Sequence, residues 1–123
     1  MNSTTFTRRK SKLAAVSYEV RYSRRATNDL KDLYRSIVRR GGGTTTALAY
    51  VERIRLACER LSDFPERGTL RVGVRPGLRI IGFERRVTIA FLVAGHEVVI
   101  ARIAYAGRDL TALRFDDGQS GDD

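Results

Sequence analysis

The spacing of apolar positions changes period partway along the chain, and that change sets out its elements. Residues 17–22, SYEVRY, alternate: Tyr18, Val20 and Tyr22 on one side, Glu19 and Arg21 on the other. This predicts a strand with one buried face. Ser23 is placed to accept hydrogen bonds from the first free amides of a helix. From about Arg24 to Arg39, the residues Ala26, Leu30, Leu33, Tyr34, Ile37 and Val38 recur at steps of three and four. The helix they predict turns Asn28, Lys31, Asp32, Arg35 and Arg39 outward. Gly41-Gly42-Gly43 stops it, since glycine takes the left-handed terminal conformation cheaply. A second helix is expected from a threonine cap at 44–46 to about Leu61. It buries Ala47, Val51, Ile54, Cys58 and Leu61, with Tyr50 and Ala57 beside them. Two such helices across a short turn make an antiparallel hairpin. Pro65 ends helical geometry, and Phe64 is expected to plug the base of the hairpin.

From Thr69 the period is two. A short irregular strand is expected at Arg71–Arg75, then strands at Leu78–Phe83, Val87–Val93 and Glu97–Tyr105. Links as short as Glu84-Arg85-Arg86 and Ala94-Gly95-His96 allow only hairpins, so these strands form an antiparallel meander. Its inner strands are apolar on both parities: Ile89 and Phe91 against Ala90 and Leu92, Val99 and Ile103 against Val98 and Ile100. By parity Tyr105 joins Val99 and Ile103 as a packing residue. A helical hairpin covers one sheet face, so the other must meet the chain's own tail or a partner. The body at 17–109 is thus one α+β domain, β-α-α-β-β-β, with an N-terminal helical hairpin packed on a small antiparallel sheet. Residues 1–16 form a basic tail without periodicity. The extension at 110–123 ends in DDGQSGDD, and both ends are expected to be flexible.

Charge narrows the partners. The chain of 123 residues carries 23 Lys and Arg against 14 Asp and Glu, a formal +9. Twenty of those bases are Arg, and without the acidic end the body reaches +13. Such a surface points to an acidic partner without naming it. The single cysteine, Cys58, excludes an intramolecular disulfide and a four-thiolate metal site. No run of 18 apolar residues offers a membrane span, and the opening stretch lacks a signal-peptide core, so a cytoplasmic protein is expected. The acids Asp63, Glu66, Glu84 and Glu97 are not spaced as metal ligands. No Gly-x-Ser-x-Gly elbow or phosphate loop appears, and no cofactor is implied.

In this order the segments resemble the RelE/ParE superfamily of toxins from toxin–antitoxin pairs, closest to its ParE, plasmid-stabilisation branch. The resemblance rests on YEVRYSRRATNDLKDLY, LACERLSDFPERG, RPGLR, TIAFLV and VVIARIAYAGRD, which run from Tyr18 to Asp109. It includes an Ala-x-x-Asp-Leu helix (Ala26, Asp29, Leu30) and a Leu-x-x-x-Pro-x-x-Gly turn (Leu61, Pro65, Gly68). The resemblance implies a toxin neutralised by a cognate antitoxin, in a hetero-oligomer, by a segment wrapped across the toxin. It further implies one of two activities: RelE-like members cut messenger RNA on the ribosome, and ParE-like members poison DNA gyrase. A third reading is a degenerate toxin that serves only to bind the antitoxin.

Cutting RNA through its 2′-hydroxyl requires a base, a leaving-group donor and cations over the phosphate. His96 is the only histidine and lies in a predicted turn, where an exposed turn residue is the simplest role. Matched to the ribonuclease branch, its third-strand arginine falls on Thr88 and its later tyrosine near Arg114 and Phe115. Its basic pair falls on Arg75 and Gly77, and Arg108 is retained. Arginine is a poor proton acceptor, so the expectation is a toxin that binds rather than cuts. In a meander, the 84–86 turn and Arg108 share one end of the sheet, and Arg75, Arg79 and His96 the other. Arg85, Arg86 and Arg108 therefore form the candidate partner-binding patch, with Asp109 orienting a guanidinium. Arg79 and Arg75 flank the opposite end. The plain alternatives are polar turn residues for Arg85 and Arg86. For Arg79 they are a solvated strand edge or an ion pair with Glu84 or Glu97.

Overall fold

The computed structural model describes residues 18–105. The two expected tails, Arg108 and Asp109 lie outside the described residues. Within them the order is β1 (Glu19–Tyr22), α1 (Arg24–Arg39), α2 (Gly43–Glu59), β2 (Thr69–Leu70), β3 (Arg79–Phe83), β4 (Val87–Ala94) and β5 (Glu97–Tyr105). A single 3₁₀ turn, Arg60–Ser62, follows α2 and carries Leu61.

The strands form one sheet in the order β1-β5-β4-β3-β2. The meander of β3, β4 and β5 is antiparallel as expected. The whole sheet is mixed, however, because β1 pairs parallel with β5 from Glu19↔Glu97 to Tyr22↔Ile100. A parallel pair has no turn signature, since its connection runs through everything between the strands. The strand expected at Arg71–Arg75 is instead Thr69–Leu70. Residues 71–78 turn back on themselves, with Val74 and Arg75 amides donating to Arg71 O and Leu78 N to Arg75 O.

Ser23 caps α1: its Oγ accepts from Ala26 N at 3.0 Å. The same hydroxyl donates to Ala101 O at 2.9 Å, tying the helix start to β5. None of the threonines caps α2. The chain enters through Gly42, already in helical geometry and without a side-chain cap, so Thr44 to Thr46 fall inside the first turn.

One face of the sheet carries the main core. Val87, Ile89 and Phe91 of β4 and Val98, Ile100 and Ile103 of β5 meet Ala26, Leu30 and Leu33 of α1. Ile54, Ala57 and Cys58 of α2 complete it with Leu61. Burial pushes the Cys58 thiol up to about 12, which keeps it protonated and inert. The other face is covered in part by the chain itself. Leu78, fully buried, packs with Ala90 and Ala101, and Val74, Ile80 and Leu92 border them. This cover comes from the 71–78 turn, whereas the sequence offered only a tail or a partner.

A β-bulge changes the parity of β5. Ala90 pairs with Arg102 and Phe91 with Ile100, so Ala101 is an inserted residue. Ile103 and Tyr105 therefore share the core face with Val98 and Ile100, not with Val99 as simple alternation predicts. Phe64 does not plug the hairpin; it is 64% exposed.

Candidate functional site

The β3–β4 connection presents the arginines singled out from the sequence. Phe83 to Arg86 make a tight turn closed by Arg86 N donating to Phe83 O at 3.2 Å. Its two central residues, Glu84 (φ 50) and Arg85 (φ 66), are both left-handed. That is the geometry of a type I′ hairpin turn, usually served by Asn-Gly. Side chains at such positions cost about 1–2 kcal/mol each. Strain of this kind concentrates at functional sites.

A clamp from α2 holds the turn. Arg53 donates Nε and Nη2 to the two oxygens of Glu84, each at 2.9 Å, a bidentate fork. The Arg53 guanidinium also lies 5.0 Å over the Tyr50 ring. Its hydrogen bonds hold the Glu84 carboxyl below its ordinary value. A carboxyl lowered by folding supports the fold above its unfolded pKa and loses that support as pH falls through the folded value. The protection of the Arg86 amide, taken relative to its intrinsic exchange rate at each pH, is therefore expected to fall on acidification below the ordinary Glu range. Glu84→Gln should remove that pH dependence; an unchanged acid response in the variant would assign it to another group.

Beside the turn, a cleft of about 520 Å³ opens between the helices and the sheet. Thr45, Thr46 and Tyr50 of α2 line it with Arg53, Arg86 and Tyr105, and Glu84 stands within it on the Arg53 fork. Arg86 Nη1 lies 3.4 Å from Tyr105 Oη. Tyr50 Oη is buried and meets no hydrogen-bond partner among the described residues. Burial, then the neighbouring Tyr105 phenol, raises the Tyr50 pKa.

The other predicted residues are elsewhere. Arg79 makes neither of the expected ion pairs: its Nη1 donates to the backbone carbonyls of Glu66 (2.9 Å) and Arg67 (3.3 Å). It braces the 64–68 loop. Glu84 is taken by Arg53, and Glu97 by Arg21 at 3.3 Å. Arg75 lies in the 71–78 turn, partly buried, separate from Arg85 and Arg86. Arg108 and Asp109 fall outside the described residues, so the three-arginine patch is represented by Arg85 and Arg86. His96 sits exposed in the β4–β5 turn, its ring 6.2 Å from that of Tyr18.

Two features escaped the sequence reading. Nothing in the local pattern singles out Arg53, although an arginine facing a hairpin turn with one acid has an obvious partner. Asp29 was read only as part of a helix motif. It is buried and receives two 2.8 Å bonds from Arg102 and a third, also 2.8 Å, from Ile103 N. The signal was Arg102 itself, a lone charge inside the apolar run VVIARIAY.

A second surface lies on the outer side of the helical hairpin. Tyr22, Leu30, Tyr34, Leu48 and Val51 line a groove of about 460 Å³, edged by Lys31, Arg35 and Arg55. Leu48 is exposed there. Among the described residues no helix is long and apolar enough to cross a membrane.

Residues 20–110 match the family model of the ParE toxin of the type II toxin–antitoxin system parDE. Among solved structures, the chromosomal ParDE toxin–antitoxin system from P. aeruginosa is similar at 28% identity and a TM-score of 0.64. That match covers 73% of this chain and 97% of the other. The toxin–antitoxin complex RelBE2 from Mycobacterium tuberculosis is 24% identical, with a TM-score of 0.50, over 75% of this chain and 94% of that one. At that identity the likeness shows the fold alone. No curated protein matches the chain.

Proposed function

The chain belongs to the ParE toxin family of type II toxin–antitoxin systems, and we propose that it acts by binding DNA gyrase through the β3–β4 tip, without bond-making chemistry of its own. The observation that carries this reading is the turn itself. Two consecutive non-glycine residues are held left-handed by a bidentate clamp, and the result is a fixed projection of Arg85 and Arg86. A turn whose backbone is already fixed has less freedom to lose on docking, which favours recognition of phosphate or carboxylate groups by its two arginines. Arg108, expected at the same end of the sheet, would extend the patch.

Neutralisation would come from a cognate antitoxin seated in the hairpin groove. An apolar floor between Lys31, Arg35 and Arg55 suits an amphipathic helix with acidic flanks. The 71–78 turn already covers part of the second sheet face, whereas Leu48 leaves the hairpin groove open to a partner.

The test is a paired activity measurement. Purified protein is expected to trap gyrase as a cleaved-DNA complex and to leave ribosome-bound message intact. Arg85→Ala with Arg86→Ala should lower gyrase trapping at least tenfold while the protein keeps its thermal midpoint within a few degrees. Cutting of ribosome-bound RNA with gyrase untouched would overturn the proposal.

A further inference from the structure

We propose that the cleft beside the β3–β4 turn is the docking site of this chain's own acidic C-terminal segment, which masks Arg86 by competing for it. The described chain stops at Tyr105, and Tyr105 is itself a wall of the cleft. Eighteen residues follow, and Asp116, Asp117, Asp122 and Asp123 lie in the last eight. Asp116 is eleven residues beyond Tyr105, a reach of up to about 40 Å when extended. The carboxylates can therefore reach any part of the cleft.

The cleft is chemically suited to carboxylates. Of its two guanidiniums, Arg53 is occupied by Glu84, while among the described residues Arg86 has only a long contact to a phenol. Arg85, exposed, lies in the chain between Glu84 and Arg86, which both line the cleft. Thr45 and Thr46 line the same space and add hydroxyl donors. An ionised carboxylate only accepts hydrogen bonds, so it complements a cavity of guanidinium and hydroxyl donors.

Tethering makes weak contacts sufficient. Individual exposed charge pairs contribute little, so a free peptide of this sequence should bind only at a Kd on the order of 0.1 mM. A short tether supplies an effective concentration of about 1 mM. The intramolecular site would then be about 90% occupied, and a competing peptide would bind about tenfold more weakly.

The experiment uses the full chain and a fluorescent peptide of sequence 106–123, read by anisotropy at low salt. The peptide is expected to bind the variant Asp116→Asn, Asp117→Asn, Asp122→Asn, Asp123→Asn about tenfold more tightly than the unmodified protein. Adding Arg86→Glu to that variant should abolish binding, and about 0.5 M salt should erase the difference between the two chains. Equal affinity for both would assign the cleft to a partner's acidic segment and overturn the proposal. Binding that ignores Arg86→Glu, or no binding to the neutralised chain, would overturn it as well.

Discussion

Replacing Asp29 by Ala is expected to cost about 3–5 kcal/mol of folding stability, read as a drop in the urea midpoint at unchanged slope. Asp29 and Arg102 form a bidentate pair with side chains only 5% and 10% exposed. Beyond Tyr22, β5 has no strand on its outer side among the described residues, and its backbone groups are met by Ser23 and α1 instead. Ser23 N donates to Ile100 O, Ser23 Oγ donates to Ala101 O, and the Asp29 carboxylate accepts from Ile103 N. Alanine would strip two short bonds from a buried guanidinium and leave that amide without an acceptor. Stabilities of small domains are about 5–15 kcal/mol, so the variant should be close to unfolding at 37 °C. Two further variants separate the causes. Asp29→Asn keeps an acceptor for Ile103 N and should recover part of the loss. Asp29→Leu combined with Arg102→Met replaces the pair by apolar groups and should be milder than Asp29→Ala alone. A loss below about 1 kcal/mol for Asp29→Ala would mean the pair is not structural.

This pair marks the limit of what periodicity reveals. α1, α2 and the three hairpin-linked strands are legible because their stripes and links are local: Ala26, Leu30 and Leu33 on one side of a helix, two short turns between strands. The β1–β5 pairing, the bulge at Ala101 and the Asp29–Arg102 contact join residues far apart in sequence. None leaves a repeating pattern. The bulge even inverts the parity by which Val99 was grouped with Ile103. At the site, residue identity revealed Arg85 and Arg86, and turn length placed them at a hairpin tip. Their left-handed partner Glu84 and its clamp by Arg53 depend on the packing of α2 beside the turn, which composition cannot supply.

The same distinction explains the loop between α2 and β3. Pro65 and Gly68 are visible as a turn, yet the reason for glycine is a contact across the sheet edge. Arg79 reaches back to the carbonyls of Glu66 and Arg67 and draws the loop against β3. Phe64 is exposed, so backbone contacts fix the path of the 64–68 loop, whereas Leu78 and Val74 anchor the turn that follows.

Gly68→Ala should accordingly be one of the most damaging single-methyl changes in the protein, lowering stability by about 2–5 kcal/mol. Gly68 has φ +81, and a Cβ there would fall 2.2 Å from Ile80 O and 2.6 Å from Ile81 Cγ2. Backbone oxygen cannot turn aside as a side chain can, so β3 itself must shift. That shift would break the pairing of Thr69 with Ile80 and the Arg79 brace together. Gly95→Ala supplies the control, since Gly95 is also left-handed (φ +61) but a Cβ there meets nothing within 4 Å. It should show the conformational cost alone, about 1–2 kcal/mol. The two thermal or urea midpoints then isolate the steric part by difference. If Gly68→Ala costs no more than Gly95→Ala, the loop does not lie against β3 as closely as the packing here requires.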